Sequence, residues 1–339
     1  MKLVRLVKSS DLKNVEHLIK NSGTGMTTMP KTSQEIKKRL LWSERSQKKN
    51  IKKPNHDSYL FVLEDNNKIV GLSAIYTSVS KKKPSVFFKK SNLTLKSKSL
   101  NFSKDLDVLS MYLYKKPYTE IGTLFLKPAF RGKGGGSLLS YARFIFMSID
   151  QKRFDKTAFV EIRGFKNNQG ESYFWSLFSK TFFNLDFFDA DQISYIDNHF
   201  VMESIPSHPF IIEHMPQKLQ RVIGKPHPNA LPAYSLLAKQ NFEANGLIDV
   251  LDGGPCLETK IENIPIVKSA KLYSVEIKRN IDLNFFGFIA NPSIKNFAVV
   301  RENFALSEDK KKIFITIKVA NALRLNSGSL ALVNLRLKF

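Results

Sequence analysis

The chain has 339 residues, 42% of them hydrophobic, and carries a formal net charge of +23 from 53 basic and 30 acidic residues. This composition allows a large core and excludes disorder as the main state, and no apolar run approaches the roughly 20 residues of a membrane span. The single cysteine excludes internal disulfides and cysteine-rich metal sites, and with a charged N-terminal stretch it predicts a cytoplasmic protein.

The first elements read as a strand and two helices. Residues 2–7 alternate as in a half-buried strand, and the next segment places Leu12, Val15, Leu18 and Ile19 on one helical face. A loop over residues 23–30, long enough to reach over a ligand site, leads to Thr32-Ser33-Gln34-Glu35. That capping box predicts the start of the second helix.

Four runs rich in β-forming residues predict strands over residues 59–63, 68–76, 107–114 and 120–126. The first two, separated by Glu64-Asp65-Asn66-Asn67, predict a hairpin. The segment 77–117 holds ten lysines and two aspartates. We interpret it as an insertion with exposed lysines, and a nucleic-acid site there is the less favoured alternative.

A strand, a glycine-rich turn and a helix follow between Thr123 and Arg143. The turn Arg131-Gly132-Lys133-Gly134-Gly135-Gly136 predicts a phosphate site, because an anion can reach the first N–H groups of the helix without meeting a Cβ. The turn fits neither the Walker-type loop nor the Rossmann loop of nucleotide-binding proteins. It resembles the Arg/Gln-x-x-Gly-x-Gly/Ala turn that holds the pyrophosphate of acyl-coenzyme A in GNAT acyltransferases. The alternative is a flexible basic turn.

The C-terminal half begins with a strand over residues 158–162, and we predict a helical, aromatic inserted layer over 165–225 that packs as core. Glu161 and Arg163 stand at the end of that strand, where α/β sheets place ligands. His227 precedes a further helix, and a strand over 247–251 ends at Asp252-Gly253-Gly254-Pro255.

Strands before a βαβ unit predict an α/β (α+β) fold, a GNAT-like mixed sheet with helices on its faces. We expect one main domain over residues 1–264, with 77–117 and 165–225 as insertions. Five short β-like runs predict a small β-rich domain over 265–339.

Six blocks of the chain resemble the arginine N-succinyltransferase family, in that family's order. They are Gly25-Met-Thr-Thr-Met-Pro30, Thr123-Leu-Phe-Leu-Lys-Pro128, Arg143-Phe-Ile-Phe-Met147, Glu161-Ile-Arg-Gly164, Val222-Ile-Gly-Lys-Pro-His-Pro228 and Asp249-Val-Leu-Asp-Gly-Gly-Pro255. The resemblance implies a GNAT-like fold and transfer of succinyl from succinyl-CoA to the α-amino group of L-arginine, in arginine degradation, without a metal. Some family subunits act on ornithine.

Carried over by residue, the resemblance implies that Leu124 contacts succinyl-CoA and that His227 is the proton donor. Many GNAT enzymes use a tyrosine instead, but Leu237 stands at that position here. The remaining residues assigned to the coenzyme are Phe125, Leu126, Arg131, Gly132, Gly134, Gly135 and Gly136. Family members usually have Lys-Glu-Gly-Asn-Gly after the arginine, but the glycines at both matching positions remain.

We assign substrate binding to Arg163, Glu161 and Thr27. A planar guanidinium suits the succinyl carboxylate, so Arg163 is the candidate for that contact, and the alternative is a structural ion pair with Glu161. For His227 the alternative is a helix-capping or surface histidine. The acceptor could also be ornithine or another amine, and the chain could form homo- or hetero-oligomers. A basic nucleic-acid-binding protein on a GNAT-like scaffold is the non-enzyme alternative, disfavoured because the charges are spread over loops.

Overall fold

The computed structural model describes residues 1–20, 29–30, 32–167, 169–196, 199–279 and 282–334, with the backbone alone for residues 195 and 196. Its strands are β1 (Lys2–Leu6), β2 (Ser58–Asp65), β3 (Lys68–Val79), β4 (Ser85–Ser97), β5 (Phe102–Tyr114), β6 (Tyr118–Leu126), β7 (Thr157–Glu161), β8 (Phe210–Ile211), β9 (Glu243–Ile248), β10 (Pro255–Lys260), β11 (Lys271–Ile277), β12 (Phe285–Ala290), β13 (Ala298–Leu306), β14 (Lys312–Ile315) and β15 (Leu330–Asn334). Its α-helices are α1 (Leu12–Lys20), α2 (Ser33–Lys48), α3 (Gly135–Ile149), α4 (Lys180–Phe183), α5 (Phe187–Ile196), α6 (His199–Ser204), α7 (Gln217–Gln220), α8 (Leu231–Ala238), α9 (Pro265–Ser269) and α10 (Ile317–Leu323).

The predicted hairpin and the predicted helix start at Thr32 are both confirmed. Strands β2 and β3 pair antiparallel up to Asp65↔Lys68, and the two turn residues Asn66 and Asn67 have φ of 47° and 62°. Asparagine tolerates this left-handed conformation, which matches the twist of the strands. Helix α2 starts behind Thr32, whose side chain accepts the Glu35 N–H at 3.3 Å.

The described residues divide into two compact units, and the division does not follow the predicted boundary at residue 264. The first unit comprises Met1–Ser78, Thr119–Lys156 and Lys260–Phe339, and the second comprises Val79–Tyr118 and Thr157–Thr259. The predicted β-rich segment 265–339 therefore groups with the first strands of the chain. One reason is the antiparallel pairing of β13 with β1, Leu3↔Val300 to Arg5↔Ala298.

In the first unit, one sheet runs in the order β12-β15-β11-β14-β13-β1-β2-β3-β6. Because β12 also pairs with β13, strands β11 to β15 close into a ring around a buried apolar interior that includes Phe304 and Leu323 of α10. Helix α3 packs on the sheet through Phe146, whose ring lies 5.0 Å from that of Tyr59 and 5.3 Å from that of Phe61. The predicted mixed sheet with flanking helices is confirmed, since β11 and β14 run parallel.

In the second unit, the strands follow the order β7-β10-β9-β4-β5-β8. The predicted aromatic layer lies in this unit as a turn of π-helix, Trp175–Ser179, followed by α4 to α7. Its buried side chains Phe174, Trp175, Phe178 and Phe183 pack with Phe88 and Ile248 of the strands. The expectation that these aromatic residues form core rather than a stacking platform is confirmed.

The lysine-rich segment 77–117 forms the hairpin β4–β5, in which Ser85↔Tyr114 to Ser97↔Phe102 pair without a break. All ten of its lysines are exposed, as predicted, but the base of the hairpin is buried through Phe87 and Phe88 and belongs to the sheet. Strands β4 and β10 and helices α9 and α10 were not predicted from the sequence. The outer part of β4 is exposed on both faces, and its two alternating apolar residues, Leu93 and Leu95, are too few to identify a strand.

Candidate functional site

The glycine loop joins β6 to α3 in the first unit. Gly132 and Gly134 have φ of 74° and 76°, a conformation that favours glycine, and no described atom lies within 4 Å of a Cβ built at either residue. The first internal hydrogen bond of α3 runs from the Leu138 N–H to the Gly134 carbonyl at 3.2 Å. The N–H groups of residues 135–137 precede that bond, so the helix start is a cradle for an anion.

Cationic side chains surround this cradle. Arg131 is exposed, and its Nε donates to the Leu126 carbonyl at 3.1 Å, which ties the loop to the end of β6. Lys2 Nζ donates to the Lys133 carbonyl. The first turn of α3 has no acidic residue. The cationic side chains and the positive end of the helix dipole would therefore both attract a bound phosphate.

The predicted coenzyme residues of β6 lie directly before this loop. Leu124 is half-buried, whereas Phe125 and Leu126 are buried. A Cβ at Gly71 of β3 would stand 3.0 Å from the Phe125 carbonyl oxygen and 2.9 Å from Leu139 of α3. Glycine at this position therefore lets β3, β6 and α3 approach closely. The structure brings Leu124, Phe125, Leu126 and the glycine loop together on consecutive elements.

Strand β6 is irregular just before Leu124, at Thr123, whose φ is 52°. A non-glycine residue in this conformation is strained and needs support from its surroundings. The Thr123 and Tyr76 hydroxyls are hydrogen-bonded at 3.1 Å, and Arg143 Nη1 donates to the Gly122 carbonyl at 3.3 Å. Side chains of β3 and α3 thus hold the backbone that leads to Leu124.

Arg143 is a buried cation that sequence reasoning missed, although it lies in one of the family blocks. It is 2% exposed, and within the described residues its hydrogen bonds go to the carbonyl and hydroxyl of Ser140 and to Gly122. Burial lowers its pKa to about 9, so it is still charged at neutral pH. An arginine in the middle of an otherwise apolar helix was the available signal.

Glu120 of β6 is the second residue that sequence reasoning missed. Its carboxyl is half-buried, and burial raises its pKa to about 7 against the opposing charge of Arg39. The Arg39 guanidinium lies 5.2 Å from the ring centroids of both Trp42 and Tyr76. Functional sites often contain a carboxyl whose pKa is raised toward neutrality.

In the second unit, Arg163 and His227 are neighbours. The His227 N–H donates to the Arg163 carbonyl at 2.8 Å, and His227 Nδ1 lies 3.3 Å from Arg163 Nη2. Nδ1 also accepts the Asn229 N–H at 3.0 Å, so His227 does cap the 3₁₀ turn that follows it. Because Nδ1 faces two donors, the neutral ring carries its proton on Nε2.

Burial and the positive charges of Arg163 and Lys166 lower the pKa of His227 below 6.5. The histidine is therefore mostly neutral at physiological pH. Its Nε2–H is the group that can face a substrate, as a hydrogen-bond donor to a developing anion.

The turn Asp252-Gly253-Gly254 holds the backbone around Arg163. Asp252 accepts the Gly164 N–H at 2.8 Å and the Gly254 N–H at 2.9 Å. A Cβ at Gly254 would stand 2.0 Å from the Ile162 carbonyl oxygen, so a side chain cannot be placed there. The sequence identified this segment only as a turn, whereas the structure shows that it positions Arg163.

Glu161 and Thr27 are the remaining predicted substrate-binding residues. Glu161 is exposed at the end of β7. Thr27 lies outside the described residues. In the described part of the chain, no three His, Cys, Asp or Glu side chains are grouped as a metal site requires, and no helix is long and apolar enough to cross a membrane.

Comparison with known proteins finds one family along most of the chain. Residues 2–266 match the family described as arginine N-succinyltransferase beta subunit. The chain is 31% identical over 338 residues to the arginine N-succinyltransferase of Yersinia pestis (strain Pestoides F), covering 97% of this chain and 96% of the relative. It is 30% identical over 332 residues to the enzyme of that name from Escherichia coli (strain 55989 / EAEC), with the same coverage.

The same likeness is seen among solved structures. The arginine/ornithine succinyltransferase subunit AI from Pseudomonas aeruginosa superposes with a TM-score of 0.88 and 25% identity, over 99% of this chain and 98% of that one. The similarity therefore extends over both compact units, including the segment beyond residue 266.

Proposed function

This chain belongs to the arginine N-succinyltransferase family, and on that premise we propose that it transfers the succinyl group from succinyl-CoA to the α-amino group of L-arginine. The products are N2-succinyl-L-arginine and CoA, as the first step of an arginine-degrading route. The observation that carries this proposal is the bare glycine cradle at the start of α3, directly after the strand that holds Leu124. The family likeness supports an acyltransferase, and the cradle supports a phosphorylated acyl donor.

In the proposed complex, the N–H groups at the start of α3 and the side chain of Arg131 bind the pyrophosphate of the coenzyme. The backbone of Leu124 pairs with the pantetheine arm and polarises the thioester carbonyl. A fixed backbone donor at that point stabilises the oxyanion of the tetrahedral intermediate, since it does not have to reorganise during the reaction. The supports at Thr123 and Gly122 hold that donor in place.

We propose His227 as the proton donor to the departing sulfur. The neutral ring presents Nε2–H, because Nδ1 is engaged by Asn229 and Arg163. As the sulfur takes the Nε2 proton, the ring regains a proton from the nitrogen of the tetrahedral intermediate, so that the amide and the thiol form without a persistent imidazolate. The capping contact thus orients the ring, and the two interpretations of this histidine do not exclude each other.

We propose Arg163 as the partner of the succinyl carboxylate, with Glu161 and Thr27 near the acceptor amine. The support for Arg163 is its fixed backbone and its place beside His227. Losing a charge-assisted pair costs about 1.5 to 3 kcal/mol. Arg163→Met should therefore reduce turnover with succinyl-CoA more than turnover with acetyl-CoA. An equal reduction with both donors would show that Arg163 is structural.

The proposed function is tested by thiol release with a panel of amines and both acyl donors. Arginine with succinyl-CoA should give the highest kcat/KM, with N2-succinyl-L-arginine as the product by mass spectrometry. Ornithine is the second candidate acceptor, since the similar Pseudomonas aeruginosa subunit is named for both amino acids. Absence of turnover with every amine in the panel would refute the proposal. We place the reaction in the cytoplasm and propose no specific nucleic-acid partner and no membrane partner.

A further inference from the structure

A third cationic side chain, that of Lys166, lies near Arg163 and His227 in the second unit. It follows Arg163 by three residues and is half-buried. Burial and the charges of Arg163 and Lys166 lower the pKa of His227. Burial and the charge of Arg163 also lower the pKa of Lys166, against the attraction of Asp252 and Asp191. The three side chains are therefore within electrostatic reach of one another.

The backbone on both sides of this lysine is held in place. Before it, Gly164 forms a β-bridge with Pro226, the residue that precedes His227. After it, Asn167 Oδ1 accepts the Glu171 N–H at 2.9 Å, and the Asn167 N–H donates to the Glu171 carbonyl at 2.9 Å. The lysine thus stands on a fixed segment beside the turn that carries His227. A group on a fixed segment binds a ligand with a small ordering cost.

The Lys166 ammonium lies over an aromatic ring. Its Nζ is 4.2 Å from the ring centroid of Phe187, the first residue of α5. In the part of the chain that the structure describes, Asp252 and Asp191 attract the ammonium through space, without a hydrogen bond to its Nζ. Both carboxylate oxygens of Asp252 accept backbone N–H groups instead. A partly desolvated ammonium without a bonded carboxylate gains from pairing with an incoming anion.

The succinyl group presents an anion that suits two cations. Its terminal carboxylate has two oxygens with about four lone-pair sites, so it can accept from a guanidinium and an ammonium together. The guanidinium supplies planar, directional donors, and the ammonium supplies a compact charge with three rotatable donors. Two cations that share a site repel each other until an anion lies between them. Such a pair therefore discriminates against an acyl group without a carboxylate.

We propose that Lys166 and Arg163 together bind the terminal carboxylate of the succinyl group, so that Lys166 is a second determinant of selectivity for the acyl donor. This rests on the proposed function. The amino-acid acceptor also carries a carboxylate, which is the same chemistry from another source. Butyryl-CoA has a methyl group where succinyl-CoA has its terminal carboxylate, and agmatine is arginine without its α-carboxylate. These two pairs of substrates distinguish the two sources.

The test compares Lys166→Met and Lys166→Arg with the wild type in the full chain, using both donors and both acceptors. Lys180→Met is the matched control, because it removes the charge of an exposed lysine of α4 in the same unit. We expect Lys166→Met to reduce the ratio of kcat/KM for succinyl-CoA to that for butyryl-CoA by about 10- to 150-fold, the usual value of a hydrogen bond to a charged group. The ratio for L-arginine over agmatine should keep its wild-type value.

The conservative variant and a binding measurement complete the comparison. Lys166→Arg should keep most of the donor selectivity, since it retains a cation, and Lys180→Met should match the wild type. Calorimetry makes the same comparison without turnover: Lys166→Met should lose affinity for succinyl-CoA and keep its affinity for butyryl-CoA. Thermal unfolding of each variant measures how much the contact with Phe187 contributes to stability.

An equal change for both donors in Lys166→Met, or no change, would overturn the assignment and leave Lys166 as a structural cation over Phe187. A lower ratio of L-arginine to agmatine with donor selectivity retained would overturn it in favour of the acceptor's carboxylate. Absence of wild-type turnover with every pair of substrates would refute the proposed function. In that case the calorimetric comparison of the two donors would still decide the role of Lys166.

Discussion

At the scale of the residue, His227 combines two roles that one substitution can separate. Its Nδ1 caps the turn at Asn229, and its Nε2–H is proposed to meet the leaving sulfur. Asparagine is among the best helix-capping residues and has no imidazole. A change to asparagine therefore tests the chemistry without removing the cap.

We predict that His227→Asn keeps the melting temperature but loses kcat by a factor of about 10² to 10⁴, with KM for succinyl-CoA nearly unchanged. His227→Ala should lose the same activity and also about 1 kcal/mol of stability, because the cap is gone. Steady-state kinetics and thermal unfolding measure both effects. If His227→Asn is fully active, the histidine is only a cap.

The lowered pKa of His227 adds a pH dependence of stability. The native state binds fewer protons than the unfolded state at this group, so its contribution to stability is lost as the pH falls through 6.5. Protonation at Nδ1 also removes the acceptor for the Asn229 N–H. His227→Asn should lack this component when melting temperatures are compared between pH 5 and 7.5.

At the scale of the element, the glycine loop requires glycine for two separable reasons. Gly134 needs it for its backbone conformation, with φ of 76°, while the residue's surroundings are empty. Gly136 has no such requirement, and a Cβ there would meet Leu126 only at 3.9 Å. A side chain at residue 136 should thus obstruct a bound phosphate without straining the helix.

We predict that Gly136→Val weakens binding of succinyl-CoA with little change in stability, and that Gly134→Ala weakens binding and also costs about 1 to 2 kcal/mol of stability. Gly328→Ala is the matched control, because Gly328 has φ of 88° and open surroundings in a turn before β15. It should cost similar stability and leave affinity unchanged. Calorimetry measures the affinity for succinyl-CoA, and thermal unfolding measures the stability. Unchanged affinity in Gly136→Val would refute the assignment of the glycine loop as the phosphate site.

Helix α3 supplies the second prediction at this scale, through Arg143. The buried guanidinium is desolvated, and its partners are serine and backbone oxygens rather than a carboxylate that would offset that cost. Arg143→Met should therefore leave the free energy of unfolding unchanged or increase it. The Gly122 carbonyl would lose its donor, and the irregular backbone at Thr123 would be less well held. We therefore expect at least a tenfold loss of kcat with a retained or raised melting temperature.

Arg153 offers the contrasting control for Arg143. It is also buried, but it pairs with Asp150 and donates to Ser46, Lys49 and Tyr59. Arg153→Met should destabilise the protein by about 3 to 5 kcal/mol, because its polar partners would lose their hydrogen bonds in the interior. A large loss of stability in Arg143→Met, without a specific loss of kcat, would contradict the positioning role.

At the scale of the whole molecule, the net charge of +23 is carried largely by exposed side chains, as the hairpin β4–β5 illustrates. We predict that replacing Lys96, Lys98 and Lys104 by glutamine leaves turnover unchanged and reduces weak, salt-sensitive binding to duplex DNA. The slope of log K against log salt should fall by up to about 0.9 per lost phosphate contact. Tight duplex binding at physiological salt, unaffected by coenzyme A, would revive the nucleic-acid interpretation.

Elements with local sequence signals could be predicted from the sequence alone. The β2–β3 turn, the cap at Thr32 and the glycine loop were predictable because turn conformation, capping and anion binding depend on a few adjacent residues. The family blocks also identified the family, and they located the strand with Leu124 and the segment with His227.

Residues that act on these segments from distant positions in the chain are identified only in the folded protein. Arg143 reaches the backbone at Gly122, Asp252 accepts the Gly164 N–H, and the Glu120 carboxyl lies against Gly122 under the influence of the Arg39 charge. Residues 39 and 120 are eighty-one positions apart along the chain. Burial raises the pKa of Glu120 and the charge of Arg39 opposes that shift, so the ionisation of this carboxyl cannot be read from its neighbours in sequence.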